Sequence, residues 1–174
     1  MVLDDAFIVR LAQEDDIPSI NELTEASIQA LEIEGRTYRK IRNAVWKFFG
    51  IGISLFDNRT SFVAERLDDI GKSEIVGFAG WSKSQTSNSR HHRQDEDEEQ
   101  LNPMFQGARI HTLIVDPDWV RRGIGSRLLS FCEEAAVFAG CRQFELVSTF
   151  LDVSFFSANG YKATKIVELP TDEG

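Results

Sequence analysis

Between residues 108 and 139 the chain reads as a strand that runs through a proline turn and two arginines into its clearest helical pattern. Ala108 to Val115 has the make-up of a strand and ends at the turn pair Asp116-Pro117. From Gly123 onward Ile124, Leu128, Phe131, Cys132, Ala135, Phe138 and Ala139 recur at helical spacing, and Gly140 stands where a helix-ending glycine belongs. The helix therefore starts inside the glycine pair of Arg121-Arg122-Gly123-Ile124-Gly125-Ser126. A strand that feeds so directly into an amphipathic helix lays that helix on the face of a sheet.

The flanking segments supply the rest of the sheet. Residues 7–12 predict a first strand, and Gln13-Glu14-Asp15-Asp16 opens a helix with the apolar stripe Ile17, Ile20, Leu23, Ile28 and Leu31. A second helix is expected over 37–49, closed by Gly50 and Gly52. Residues 61–67 and 74–82 read as two strands of a hairpin joined by Asp68-Asp69-Ile70-Gly71-Lys72. Residues 144–148 predict a fifth strand, 152–158 a short helix ended by Asn159-Gly160, and 161–169 a sixth strand. The order predicts one α/β domain over 1–174 with a mixed sheet, and residues 83–107, polar and without a hydrophobic period, form an acidic mobile loop within it.

The turn at 121–126 suits an anion. Glycine lets the backbone approach a ligand and take positive φ, the first amides of the helix have no internal partners, and the helix dipole favours negative charge there. Arg121, Arg122 and Arg127 add positive charge, so a phosphate or diphosphate is the natural guest, while a plain tight strand-to-helix turn is the alternative. Neither familiar nucleotide loop fits. Leu128 stands where a dinucleotide fingerprint needs a third small residue, and Ser126-Arg127 replaces the Lys-Ser/Thr of a nucleoside-triphosphate loop.

Composition narrows the partners. The net charge is −9, with five acidic residues together at Asp95-Glu96-Asp97-Glu98-Glu99, which disfavours a nucleic-acid partner and suits a cationic one. No apolar run approaches the roughly 20 residues of a membrane span, and the N-terminus lacks the basic-then-apolar order of a signal peptide, so the expected location is the cytoplasm or nucleus. Cys132 and Cys141 show neither a disulfide framework nor zinc spacing, and no metal is expected.

The stretch from Leu113 to Leu129, Leu-Ile-Val-Asp-Pro-Asp-Trp-Val-Arg-Arg-Gly-Ile-Gly-Ser-Arg-Leu-Leu, resembles the acetyl-CoA motif of the GNAT N-acetyltransferases. Ser154-Phe155-Phe156-Ser157-Ala158-Asn159-Gly160-Tyr161 is similar to that family's later Pro-Phe-Tyr-x-x-x-Gly-Phe helix, and the opening strand and two helices fit its N-terminal arm. The resemblance implies a mostly antiparallel sheet of six to seven strands with about four helices, splayed between the fourth and fifth strands. It implies acetyl-CoA as cosubstrate, with Leu113, Ile114 and Val115 along its pantetheine arm and the amides of Arg121, Arg122, Gly123, Ile124, Gly125 and Ser126 at its diphosphate.

The implied activity is transfer of the acetyl group to an amine of a small molecule, a lysine or an N-terminus, by direct attack. The alternative is an acyl-CoA-binding or sensing domain, favoured by two departures from the family pattern, at Phe156 and Leu151. Phe156 stands where many members carry a proton-donating tyrosine, Leu151 where asparagine is frequent, and Val120 where Gln or Arg is usual. His111 is the candidate general base, sharing strand parity with Arg109, Leu113 and Val115 and having an ordinary pKa of about 6.5. Glu65 is the second candidate base. Glu32, Glu34, Tyr38 and Trp81 are candidate acceptor contacts. A homodimer covering an exposed sheet edge is a further expectation.

Overall fold

The computed structural model describes residues 7–32, 59–67, 70–83, 107–148 and 152–166. The helix expected over 37–49 and the interior of the 83–107 loop lie outside them. Five strands form one sheet in chain order: β1 (Phe7–Leu11), β2 (Ser61–Leu67), β3 (Ser73–Lys83), β4 (Ala108–Val115) and β5 (Phe144–Leu146). The first four are antiparallel neighbours, and β5 runs parallel to β4. That parallel pair needs a crossover, which the helix α2 (Ile124–Phe138) supplies.

Helices cover both faces. On one, α1 (Ile17–Glu32) buries Ile20 and Leu23 against Val63 and Phe78. Ile20, Leu23 and Ile28 of the expected stripe are buried, with Thr24 between them, its hydroxyl donating to the carbonyl of Ile20 at 2.8 Å. On the other face α2 buries Ile124, Leu128, Leu129, Cys132 and Ala136 against Phe62, Ala64, Val76, Ala79, Trp81, Ala108 and Ile110. Both cysteines are free and buried. The periodicity placed Phe138 inward, yet it is 96% exposed, and Leu129 takes an inward position instead. Phe138 is the last residue of α2, and among the described residues its side chain covers no surface.

Two bulges interrupt the regular side-chain alternation. Ala64 pairs Gly77 while the next residue, Glu65, pairs Ile75, so Val76 is an extra residue in β3. Gly80 pairs Thr112 while Trp81 pairs Ile110, so His111 is an extra residue in β4. Each bulge reverses which sequence parity faces which helix. Ile110 therefore packs with the α2 cluster, and so do Leu113 and Val115, three and five residues on. Ile114 packs on the α1 side.

The C-terminal part departs from expectation. β5 spans three residues rather than five, and 161–166 has no strand pairing, its last five residues being exposed. An apolar alternation marks a strand only if a neighbour offers a ladder, and the last three residues of the expected strand, 167–169, lie outside the described residues. Between β5 and this segment lies α3 (Val153–Ala158). The described residues thus hold five strands and three α-helices, against the six to seven and about four expected.

Gly77 is where the sheet comes closest to α2. A Cβ there would lie 2.8 Å from Leu128 Cδ1 and 2.9 Å from Ile124 Cγ2. Gly77→Ala is expected to lower stability by about 1–3 kcal/mol through overpacking, read as a lower urea midpoint with unchanged slope.

Candidate functional site

The pairing of β4 with β5 covers only Ala108↔Phe144, Arg109↔Glu145 and Ile110↔Leu146, while β4 continues to Val115. Past the bulged His111 the β5 side of β4 has no strand partner among the described residues, a gap in the pairing along Leu113, Ile114 and Val115. Buried backbone groups at such a parting need partners. At its far end Ser27 of α1 donates to the carbonyl of Val115 at 3.3 Å.

The gap leads to the turn. Asp116 accepts from the amide of Asp118 at 2.8 Å and so caps the 3-10 turn Pro117–Trp119. Two residues then take left-handed backbone, Arg121 at φ 67° and Gly123 at φ 83°. Gly123 is the N-cap of α2, and Arg127 N–H donates to its carbonyl at 3.0 Å. The amides of Ile124, Gly125 and Ser126 precede the first intrahelical bond and have no partner within the helix. Arg121, Arg122, Gly123 and Ser126 are exposed to solvent, while Ile124 is buried and anchors the turn in the core.

Gly125 is tight for another reason. A Cβ on it would meet the ring of Phe155 on α3 at 3.3 Å and Val115 at 3.6 Å, so Gly125 lies where α2, α3 and β4 converge. Motif reading found both glycines, but not the strain at Arg121. Left-handed backbone at a non-glycine residue costs on the order of 1 kcal/mol and clusters at functional sites. It also missed Trp119, whose ring carries the guanidinium carbons of Arg66 and Arg122 at 4.2 and 4.4 Å from its centroid. Gly123→Ala, with its φ positive and nothing near its Cβ, should cost about 1–2 kcal/mol from backbone strain alone. A matching fall in melting temperature checks it.

On the α1 side of the same opening sits a polar group. The His111 ring nitrogen Nε2 is hydrogen-bonded to Ser82 Oγ, and Arg109 Nε pairs with the Glu145 carboxylate across the last joined rungs of β4 and β5. Burial, and then the Arg109 charge, push the His111 pKa below its ordinary value, so the ring rests neutral at pH 7. His111 does not follow the strand parity expected of it. It shares a face with Arg109 but not with Leu113 and Val115, because the bulge falls between them.

The remaining candidates separate. Glu65 is held by Ser73 and by Arg10, which also grips Asp16 at 2.7 Å, and these partners keep its carboxyl below the usual range. It pairs with Ile75, beyond the Val115 end of β4, far along the sheet from His111. Trp81 is 4% exposed in the α2-side core, on the opposite face from Ser82. Glu32 is the last residue of α1, and Glu34, Tyr38 and Leu151 lie outside the described residues. Phe156 is buried edge-to-face between Phe155 and Tyr161, and Tyr161 donates to Glu133 at 2.8 Å. Among the described residues no helix is long and apolar enough to cross a membrane.

The fold is shared with solved structures of low sequence identity. The PaiA N-acetyltransferase of Thermoplasma acidophilum in complex with coenzyme A superposes with a TM-score of 0.65 at 14% identity, over 93% of each chain. A GNAT family acetyltransferase from Brucella melitensis in complex with acetyl-CoA gives 0.58 at 18% identity, over 91% of this chain and 84% of that one. The aminoglycoside acetyltransferase AAC(6')-Iy, bound to the bisubstrate analogue CoA-S-monomethyl-acetylneamine, gives 0.58 at 13% identity, over 97% and 99%. No curated protein matches in sequence. The model of the acetyltransferase (GNAT) domain matches residues 57–163, more than half of the 174, and the chain belongs to the GNAT acetyltransferase family.

Proposed function

We propose that this chain transfers the acetyl group of acetyl-CoA to a primary amine. The observation that carries the reading is the continuity of the β4–β5 gap with the amide-lined turn at 121–126. An extended ligand bearing amides would complete the β4 edge along Leu113, Ile114 and Val115 as an added strand does. The helix start, with Arg121 and Arg122 beside it, suits a diphosphate. Gly125 fits that route, since a side chain there would press on Phe155 and Val115.

Acetyl-CoA supplies an activated thioester, and the chain's own groups do the rest. An acceptor arrives largely as ammonium, with a free pKa of about 10, and must lose a proton before it can attack. His111, neutral at the mouth of the gap, is the group that takes it. A backbone amide of β4 near Leu113 or Ile114 donates to the thioester carbonyl as charge develops on its oxygen. Phe156 has no proton to give, so the sulfur leaves as thiolate or is protonated by water. Relatives bound to an aminoglycoside-derived analogue are consistent with an amine acceptor, here a small molecule, a lysine side chain or an N-terminus.

The second reading, an acyl-CoA-binding domain with little turnover, is favoured by Phe156 being buried as a packing residue. One experiment separates the two: release of thiol from acetyl-CoA across small amines, polyamines and lysine peptides. Amine-dependent thiol release with an acetylated product is expected. Thermal stabilisation by acetyl-CoA, about 2.7 kcal/mol at a hundredfold excess over Kd, without any acetylated product would establish the binding reading instead.

A further inference from the structure

The His111 ring reaches toward β3, and β3 lies on the side of β4 away from β5. Its Nε2 is thus on the side away from β5 and bound to Ser82, and Nδ1 is the other ring nitrogen. Ser82 pairs with Arg109 across the strands, so Ser82, Arg109 and His111 share the α1-side face, and Glu145 of β5 joins them through Arg109. A neutral imidazole carries one N–H and one lone pair, and its partner decides which nitrogen has which. A serine hydroxyl can satisfy either form, but only one form suits a base at this place.

We propose that Ser82 is the positioning residue of the acetyl transfer: its Oγ accepts from Nε2–H of His111 and fixes the tautomer that presents the Nδ1 lone pair to the gap. This rests on the acetyltransferase reading and assigns a role that the family motif does not. In the step itself one N–H bond of the ammonium breaks and one forms at Nδ1. The imidazolium then carries N–H on both nitrogens, and the freed amine holds the electron pair that attacks. Ser82 accepts from Nε2–H before and after the transfer, so its hydrogen bond needs no rearrangement during the reaction. The other tautomer would turn a donor toward the acceptor and require the hydroxyl to rotate as the ring became charged. Base, orienting oxygen and bulge thus act as one unit, the logic of an activated base held by a third group.

The test begins with the wild-type protein and does not need activity. Long-range proton–nitrogen NMR on histidine-labelled protein at neutral pH distinguishes the two neutral tautomers, and His111→Gln identifies the His111 signals among the three histidines. The expected spectrum has a protonated Nε2 and a pyridine-like Nδ1; a protonated Nδ1 overturns the proposal. For turnover, Ser82→Ala should lower kcat by about tenfold or more with the KM for acetyl-CoA unchanged, and Ser82→Thr, which keeps the hydroxyl, should recover most of it. Wild-type kcat in Ser82→Ala, or equal losses in both variants, overturns it. Absence of acetylated product from the wild type would instead remove the acetyltransferase reading, with the tautomer spectrum still deciding what Ser82 does to His111.

Discussion

His111→Ala is expected to lower kcat by about 10²–10⁴-fold, the usual contribution of a positioned general base. Acetyl-CoA should still raise the melting temperature as in the wild type, because the turn at 121–126 lies beyond the other end of β4 from His111. The pH profile gives an independent readout. Burial, then Arg109, lowers the His111 pKa, so the ring is in its proton-accepting form at neutral pH and stays there until the pH falls below the ordinary histidine range of about 6.5. The wild-type profile should therefore have an acidic limb below that value, and in His111→Ala that limb should disappear. A variant with near-wild-type kcat and an unchanged limb would mean that another group takes the proton.

Leu128→Ala is expected to give a large loss of stability, about 2–5 kcal/mol out of a total of about 5–15 kcal/mol. Leu128 is fully buried in the face of α2 that packs on the sheet. Truncation removes apolar contacts and leaves a cavity that the helix, fixed at its start by the turn and packed along its length, closes only in part. The corresponding fall in melting temperature is roughly 4–20 °C for a domain of this size. The local geometry adds a sharper expectation. The Cβ that Gly77→Ala introduces would lie 2.8 Å from the Leu128 Cδ1 that Leu128→Ala removes. The double variant should therefore be more stable than the sum of the single effects predicts, with a coupling of about 0.5–3 kcal/mol. Additive losses would mean that α2 is not seated on β3 at Gly77.

Much of the architecture could be read from local chemistry. The β2–β3 hairpin, the strand ending at Val115 and the helix starting in the glycine pair each follow from periodicity and turn residues a few positions apart. The turn at 121–126 was legible for the same reason, since its glycines, arginines and helix start are adjacent in sequence. Candidates chosen by reasoning across strands fared differently. Trp81, a candidate acceptor contact, is a core residue, while Glu65, the second candidate base, is held by Arg10 and Ser73. Over 161–166, the described part of the expected strand at 161–169, no strand pairing is found, because strand character depends on a partner that local alternation cannot supply.

The amino-acid sequence by itself determined the turn at 121–126, with its positive-φ glycine, the helix start after it and the arginines around it, all within one short segment. Only the tertiary structure decided which residues stand at the parting of β4 and β5. A period-two strand pattern assigns faces only while the pairing register is unbroken, and the register is a property of two strands rather than one. One extra residue at position 111 reverses the alternation, sends the imidazole to the α1 side, and brings to it Ser82, twenty-nine positions away in the chain.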